Sequence, residues 1–330
     1  MSIRPGSDPA ALQAAAAALA AGQLVALPTE TVYGLGARAD DDAAVARIFA
    51  AKGRPADHPL IVHVTGTEAA QHFVAQWPER AQRLAAAFWP GPLTVIVPRA
   101  PGVATASAGG QATVGLRCPS HPVARALLLA AEQLGVPGVA APSANRFGRV
   151  SPTTAAHVAG EFDADLLVLD GGDCEVGIES AIVDCSRDRA VLLRPGALTR
   201  AALEAVLGEP LAERDADAPK ASGTLDAHYA PRAVVRLMSA EALRAALAVL
   251  PPAAAGGAPP VAVYSRSLTP SDARLPHLRQ PAAAGAAAHD LFAALRSLDA
   301  TGVPLIWVES PPGGPEWEGV RDRLKRAAAA

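Results

Sequence analysis

The chain has 330 residues, half of them apolar and 18% charged, with a formal net charge of −3. That length exceeds what one core usually organises, so two domains are expected, and the apolar content supplies both cores. A slightly acidic chain with 4% aromatic residues has no global electrostatic footprint for nucleic acid and little base-stacking surface, although a local basic cleft stays open. Cys118, Cys174 and Cys185 stand apart without a CxxC spacing, as in a reduced protein of the cytoplasm. The chain opens on no signal-peptide pattern, and its longest apolar stretch, 14–21, is too short for a bilayer. A soluble cytoplasmic protein is expected.

Asp8 and Pro9 are read as the cap and first turn of a helix running to Ala20, with Gly22 closing it. A strand at 24–27 runs into PTETVYGLGARA, residues 28–39. The next helix starts near 40–42, carries Val45, Ile48 and Phe49 as its apolar stripe, and ends in Lys52-Gly53-Arg54-Pro55. HPLIVHV, 58–64, predicts a strand; a helical stretch over 68–88 and a Pro-Gly turn lead to another. TVGLRCP, 113–119, predicts a strand, after which Ser120 is read as the cap of a helix over 122–134 closed by Gly135. GVAAPSAN, 138–145, is a strand ending in small polar residues, followed by a helix at 153–158 and the strands DLLVLDGG, SAIVDCS and AVLLRPG. A helix from Thr199 to Gly208 completes a mixed, partly antiparallel first domain, because several strands follow one another without an intervening helix. Residues 209–232 lack periodicity and read as a linker. Beyond them, strands AVVRLM, VAVYSR and PLIWV alternate with helices in a small βαβ-type domain, and 251–260 is expected to be a mobile loop.

Gly34-x-Gly36-x-x-Ala39 loosely matches a dinucleotide fingerprint. That fingerprint needs glycine directly after a strand and at the start of a helix, and here six residues separate Leu27 from Gly34. A plain turn remains open; the alternative is a ligand site whose polar groups are Thr29, Glu30, Thr31 and Tyr33. No Walker loop, HExxH, GxSxG or zinc spacing occurs. Lys52 and Arg54 close a helix, where cations complement the dipole, yet with His58 and His63 nearby they also suit a phosphate or carboxylate pocket. Arg117 lies among apolar strand residues and needs an anionic partner, from an internal ion pair or from a ligand. Arg194 repeats the theme, and Ser143, Asn145 and Ser180 stand at strand ends as ligand contacts or as turn chemistry.

PTETVYGLG, AKGRP, HPLIVHV, FWPGPLT, VGLRCPSHP, APSAN, SPTTAAHV, GGDCEVGIESAIVD and LLRPG occur in this order. The series resembles the L-threonylcarbamoyladenylate synthases, which contain a YrdC-type domain, over about residues 15–208. SGTLDAHYAP, 222–231, is similar to the linker of their longer, two-domain form. The resemblance implies a twisted mixed α/β sheet flanked by helices over 1–208, a linker and lid over 209–232 containing Tyr229, and a smaller Rossmann-like α/β domain over 233–330. It implies that L-threonine, bicarbonate and ATP, with Mg²⁺, give threonylcarbamoyl-AMP and pyrophosphate for N6-threonylcarbamoyladenosine in tRNA. Downstream threonylcarbamoyl transferase proteins would be partners, with a weak direct tRNA contact and no tightly bound organic cofactor.

Carried over by position, Thr31, His63, Arg117, Ala141 and Ser180 would contact threonine. Arg54, His58, Thr113, Ser143, Ser151, Arg194 and Tyr229 would contact ATP, and Lys52 and Arg54 would act as the catalytic cations. Two positions depart from the family. His58 stands where Asn often precedes Pro-Leu, and Leu225, Asp226 and Ala227 replace the basic residues often found before His-Tyr-Ala-Pro. Three other readings compete. A double-stranded RNA-binding module is disfavoured by charge and aromatic content. A hydrogenase-maturation carbamoyltransferase would bring acylphosphatase and zinc-finger segments, and a dehydrogenase needs the displaced glycine fingerprint.

Overall fold

The computed structural model describes residues 2–162, 165–251 and 259–330. The chain divides into two compact units, Met1–Phe147 with Ser151–Thr224, and Gly148–Val150 with Leu225–Ala330. The segment read as a linker, 209–232, is therefore shared between them. Most of the loop expected at 251–260 lies outside the described residues.

The first unit opens with β1 (Ser2–Pro5), α1 (Pro9–Ala20), β2 (Val25–Leu27), β3 (Gly34–Arg38) and α2 (Asp42–Lys52). Asp8 caps α1 by accepting the Ala10 N–H at 3.0 Å, and Asp41 caps α2 through the N–H groups of Ala43 and Ala44. Gly53 ends α2 at φ 64°, a left-handed position that favours glycine. β4 (Ile61–His63) leads to α3 (Thr67–Ala70), a 3₁₀ turn, and α4 (Glu79–Phe88), so the single helical stretch expected over 68–88 is broken. Pro78, which stands in extended backbone as the N-cap of α4, restarts the helix there. Then come β5 (Leu93–Pro98), β6 (Thr113–Arg117), α5 (Pro122–Gln133), β7 (Val139–Ala140) and α6 (Ala155–Ala159). His121, not Ser120, caps α5, its Nδ1 accepting from Val123 N at 3.2 Å. β8 (Leu167–Asp170), β9 (Ala181–Asp184), β10 (Val191–Arg194) and α7 (Arg200–Leu207) complete the elements.

These strands form one mixed ten-stranded sheet in the order β1-β8-β2-β3-β7-β4-β6-β5-β9-β10. The Gly-x-Gly stretch lies within β3, which pairs antiparallel with β2. A Cβ on Gly36 would come within 2.9 Å of Val139 Cγ1 and 3.0 Å of Leu27 Cδ2, so close strand packing requires glycine there. Ala26 and Val168 join one core cluster while Val25, Leu27 and Leu169 join another, as alternation along a strand demands. Toward the β10 edge, Ile96, Ile182, Val191 and Leu193 form a smaller cluster against Ala212, Ala218 and Ala221, so residues 212–221 lie across this part of the sheet.

The second unit holds β11 (Val234–Met238), α8 (Ala240–Val249), β12 (Ala262–Ser265), β13 (His277–Arg279), α9 (Ala284–Asp299), β14 (Leu305–Glu309) and α10 (Glu318–Ala328). Its four strands are parallel in the order β11-β14-β12-β13. The sequence did not point to β13, which is half exposed and lacks an apolar pattern.

Candidate active site

After β2 the chain makes a tight turn. Thr29 Oγ1 accepts from the N–H groups of Thr31 and Val32 at 3.2 Å and donates to Val32 O at 2.6 Å. This turn buries Glu30 and Thr31. Glu30 then ties three segments together: its carbonyl accepts from Val176 N at 2.7 Å, Oε2 accepts from Ser120 N at 3.1 Å, and Oε1 lies 2.8 Å from Arg117 Nη2. Of the two partners left open for Arg117, the structure provides the internal one. Burial pushes the Glu30 carboxyl up, but the Arg117 charge and the hydrogen bonds outweigh it and hold the carboxyl below its usual value. His63 stands beside Arg117 in the β4–β6 register. Burial, reinforced by Arg117, drives its pKa down to about 3, so its ring is neutral at physiological pH.

Strand register places the next groups in a row across β6, β5, β9 and β10, since Val95 pairs with Leu116, Leu93 with Ala181, and Ile182 with Arg194. Arg117 Nε donates to Gly91 O at 3.4 Å. Thr94 Oγ1 and Ser180 Oγ share a hydrogen bond of 2.8 Å. Arg194 grips the same serine twice, Nε to the carbonyl at 3.0 Å and Nη2 to Oγ at 3.2 Å. Gly196 lets this happen, because a Cβ there would meet Ala181 N at 2.4 Å.

A second group of cations gathers at the end of α2. Lys52 Nζ donates to the carbonyls of Ser143 and Asn145 at 2.6 and 2.5 Å, so its ammonium organises the loop after β7. Burial, helped by the Arg54 charge, pushes its pKa well down. Arg54 lies over the Phe147 ring, donates to Pro59 O at 3.0 Å and reaches Ser222 Oγ at 3.4 Å. His58 meets Phe147 edge-on at 5.5 Å, and burial with the Arg54 charge lowers its pKa. Ser151 Oγ donates to the Glu179 carboxylate, and Ala141 N donates to Ile61 O at 3.0 Å.

Ser222 links the two groups, since its carbonyl accepts from Arg194 Nη1 at 2.8 Å. Lys220 exchanges hydrogen bonds with Gln111 and pairs with Asp57. Residues 220–222 thus close over Thr94, Thr113 and Ile182, leaving a cavity of about 10 Å³, room for one water at most. Arg54 and Arg194 therefore meet at Ser222, beside the cavity that Thr113 lines, while Arg117 stands on β6, three strands from β10 in the same sheet.

Tyr229 lies in the second unit. Its ring packs against His228 at 4.2 Å and Phe292 at 5.4 Å, beneath the Arg323 guanidinium, and its φ is 62°. The ligand site expected after β2 includes Glu30, but the sequence points to none of Thr94, Phe147 and Glu179. An acid between two threonines at a strand end was the available signal for Glu30; the others depend on strand pairing and loop packing that one sequence does not display.

This fold and patch define a small-molecule-binding α/β protein whose site combines buried cations with hydroxyls. A family model named Sua5_yciO_yrdC, described as telomere recombination, matches residues 17–196, and one described as threonylcarbamoyl-AMP synthase, C-terminal domain, matches 198–329. The chain belongs to the Sua5/YciO/YrdC family, in its two-domain form. It is 38% identical to the threonylcarbamoyl-AMP synthase of Bacillus subtilis, over 98% of this chain and 94% of that protein. It is 44% identical to the threonylcarbamoyl-AMP synthase of Pyrococcus abyssi, over 68% of this chain and 66% of that protein. The crystal structure of P. abyssi Sua5 complexed with L-threonine matches with a TM-score of 0.84 at 37% identity, covering 96% of this chain and 94% of that one.

Proposed function

We propose that this chain is a threonylcarbamoyl-AMP synthase that joins L-threonine, bicarbonate and ATP. Threonine and bicarbonate condense with loss of water and a proton to a carbamate. A carbamate oxygen attacks the α-phosphorus of ATP, and the bond to the bridging oxygen breaks to release pyrophosphate. The carbamate is the nucleophile, so the protein supplies position and charge. Support comes foremost from the full-length likeness to the Bacillus enzyme, together with the meeting of Arg54 and Arg194 at Ser222.

Thr31, His63, Arg117, Ala141 and Ser180 form the threonine side in this reading. Arg54, His58, Thr113, Ser143, Ser151 and Arg194 form the nucleotide side. Lys52 and Arg54 are the catalytic cations, Lys52 holding the 143–145 loop and Arg54 facing the developing phosphate charge. Residues 218–222 act as a strap that shields the water-sensitive carbamate, and ATP displaces Ser222 from Arg54 and Arg194. Mg²⁺ enters on the triphosphate as part of the substrate. No helix among the described residues is long and apolar enough to cross a membrane. We place the enzyme in the cytoplasm, delivering its product to a threonylcarbamoyl transferase for modification of tRNA, with at most a weak tRNA contact of its own.

The test is ATP–pyrophosphate turnover by the full chain with threonine, bicarbonate or both left out. Strict dependence on both is expected. Turnover that persists without either one rules the assignment out.

A further inference from the structure

Between α1, α2 and the starts of β2 and β8, the first unit holds a cavity of about 700 Å³. Small side chains open it. Ala14 and Ala18 stand one turn apart on α1, and Ala50 lies near the end of α2, where larger residues would fill the space. Leu35 and Phe162 add apolar wall. The volume falls in the range of small-molecule sites, about 300–1,000 Å³. None of the residues assigned above to threonine or the nucleotide lines it. Its charges are unequal, with Arg47 of α2 and Arg146 of the loop after β7 set against one carboxylate, Asp165. Among the described residues, neither guanidinium makes a hydrogen bond or an ion pair. The Arg146 backbone N–H, and not its side chain, donates to Glu161 at 3.0 Å and fixes the loop there. Both arginines are exposed, so they stay charged and hydrated until an anion replaces the water.

We propose that this cavity is a second ligand site, which takes an organic anion. An aromatic body sits among Leu35, Phe162 and the alanines, and a phosphate or carboxylate head is held by Arg47 and Arg146. The site goes beyond the synthase reading and does not rest on it. Apolar walls by themselves would take a neutral molecule, and two guanidinium groups by themselves would take an inorganic anion. Together they favour a molecule that carries both features. The guanidinium fork matches either head group through paired, charge-assisted hydrogen bonds. Phe162 offers a ring for an aromatic body to pack against. Asp165 repels additional negative charge, which favours a single head group over a triphosphate.

The experiment titrates the full chain with 1-naphthyl phosphate and with 1-naphthoate in calorimetry, using 1-naphthol and inorganic phosphate as the separated halves. At least one of the two anions is expected to bind at one site per chain with a Kd below about 1 mM, and either half at least about tenfold more weakly. Ala14→Trp fills the cavity from α1 and should abolish this binding. Arg47→Glu should weaken the anion at least about tenfold, whereas Arg47→Lys, which keeps the charge, should stay within about threefold of the wild type. Absence of saturable binding by both anions, or inorganic phosphate binding as tightly as they do, overturns the proposal. Binding that survives Ala14→Trp or Arg47→Glu overturns it too, because the anion then sits elsewhere. Should Ala14→Trp show no melting transition, Arg47→Glu decides, since the position is exposed and its side chain holds no other element.

Discussion

Lys52 illustrates how a residue's chemistry and its placement differ. At a helix end it reads as a cation for a phosphate, yet two of its N–H bonds go to the carbonyls of Ser143 and Asn145. Lys52→Met should leave those carbonyls unmatched, cost about 1–3 kcal/mol in chemical denaturation, and lower activity by displacing the 143–145 loop. Lys52→Arg should not rescue it, because the larger fork overfills a buried position. His63 makes a pH prediction. Its folded pKa is lowered to about 3 from 6.5, so the unfolded chain binds the extra proton between those values, and stability falls as pH drops below 6.5. The slope approaches about 1.4 kcal/mol per pH unit for a single site. In His63→Gln the melting temperature should decline less steeply between pH 6.5 and 4; an unchanged profile in the variant would clear His63 as the cause.

At the scale of elements, helix caps were the most legible features. The Asp8 and Thr199 caps rest on local hydrogen bonds to N–H groups two or three residues on, so neighbouring sequence suffices to place them. β3 was hidden because Gly34-Leu-Gly-Ala-Arg lacks β-branched residues; its strand character comes from β2 and β7 on either side. β1 is exposed along its whole length and gives no apolar alternation. Glycines at close approaches supply the test here. Gly196→Ala would press a Cβ to 2.4 Å from Ala181 N and 2.9 Å from the Ser180 carbonyl carbon. It should destabilise the first unit by about 1–3 kcal/mol and raise the threonine KM, whereas Gly208→Ala, open around its Cβ but at φ 73°, should cost only about 1 kcal/mol and leave kinetics alone. Equal kinetic effects from the two variants would refute the placement of Ser180.

Across the whole molecule, the feature that organises the first unit's site is the passage of residues 209–224 over its sheet. The segment is held by unequal contacts. Lys220 and Asp57 are both more than half exposed, so Lys220→Ala should leave the melting temperature within error. Arg194 is 2% exposed and joins Ser180 to Ser222. Arg194→Ala should speed amide exchange over 218–224 at least about tenfold and reduce turnover about 10²–10³-fold. Unaltered exchange there would show that other contacts fix the strap. The ordered motif series, the two-unit composition and the types of chemistry available were legible in the linear chain, because caps, apolar periods and motif residues act over a few neighbours. The partner of Arg117, the carbonyls around Lys52 and the seating of Ser222 on two arginines were decided only by tertiary structure, since each joins segments dozens of residues apart and depends on which strands lie side by side.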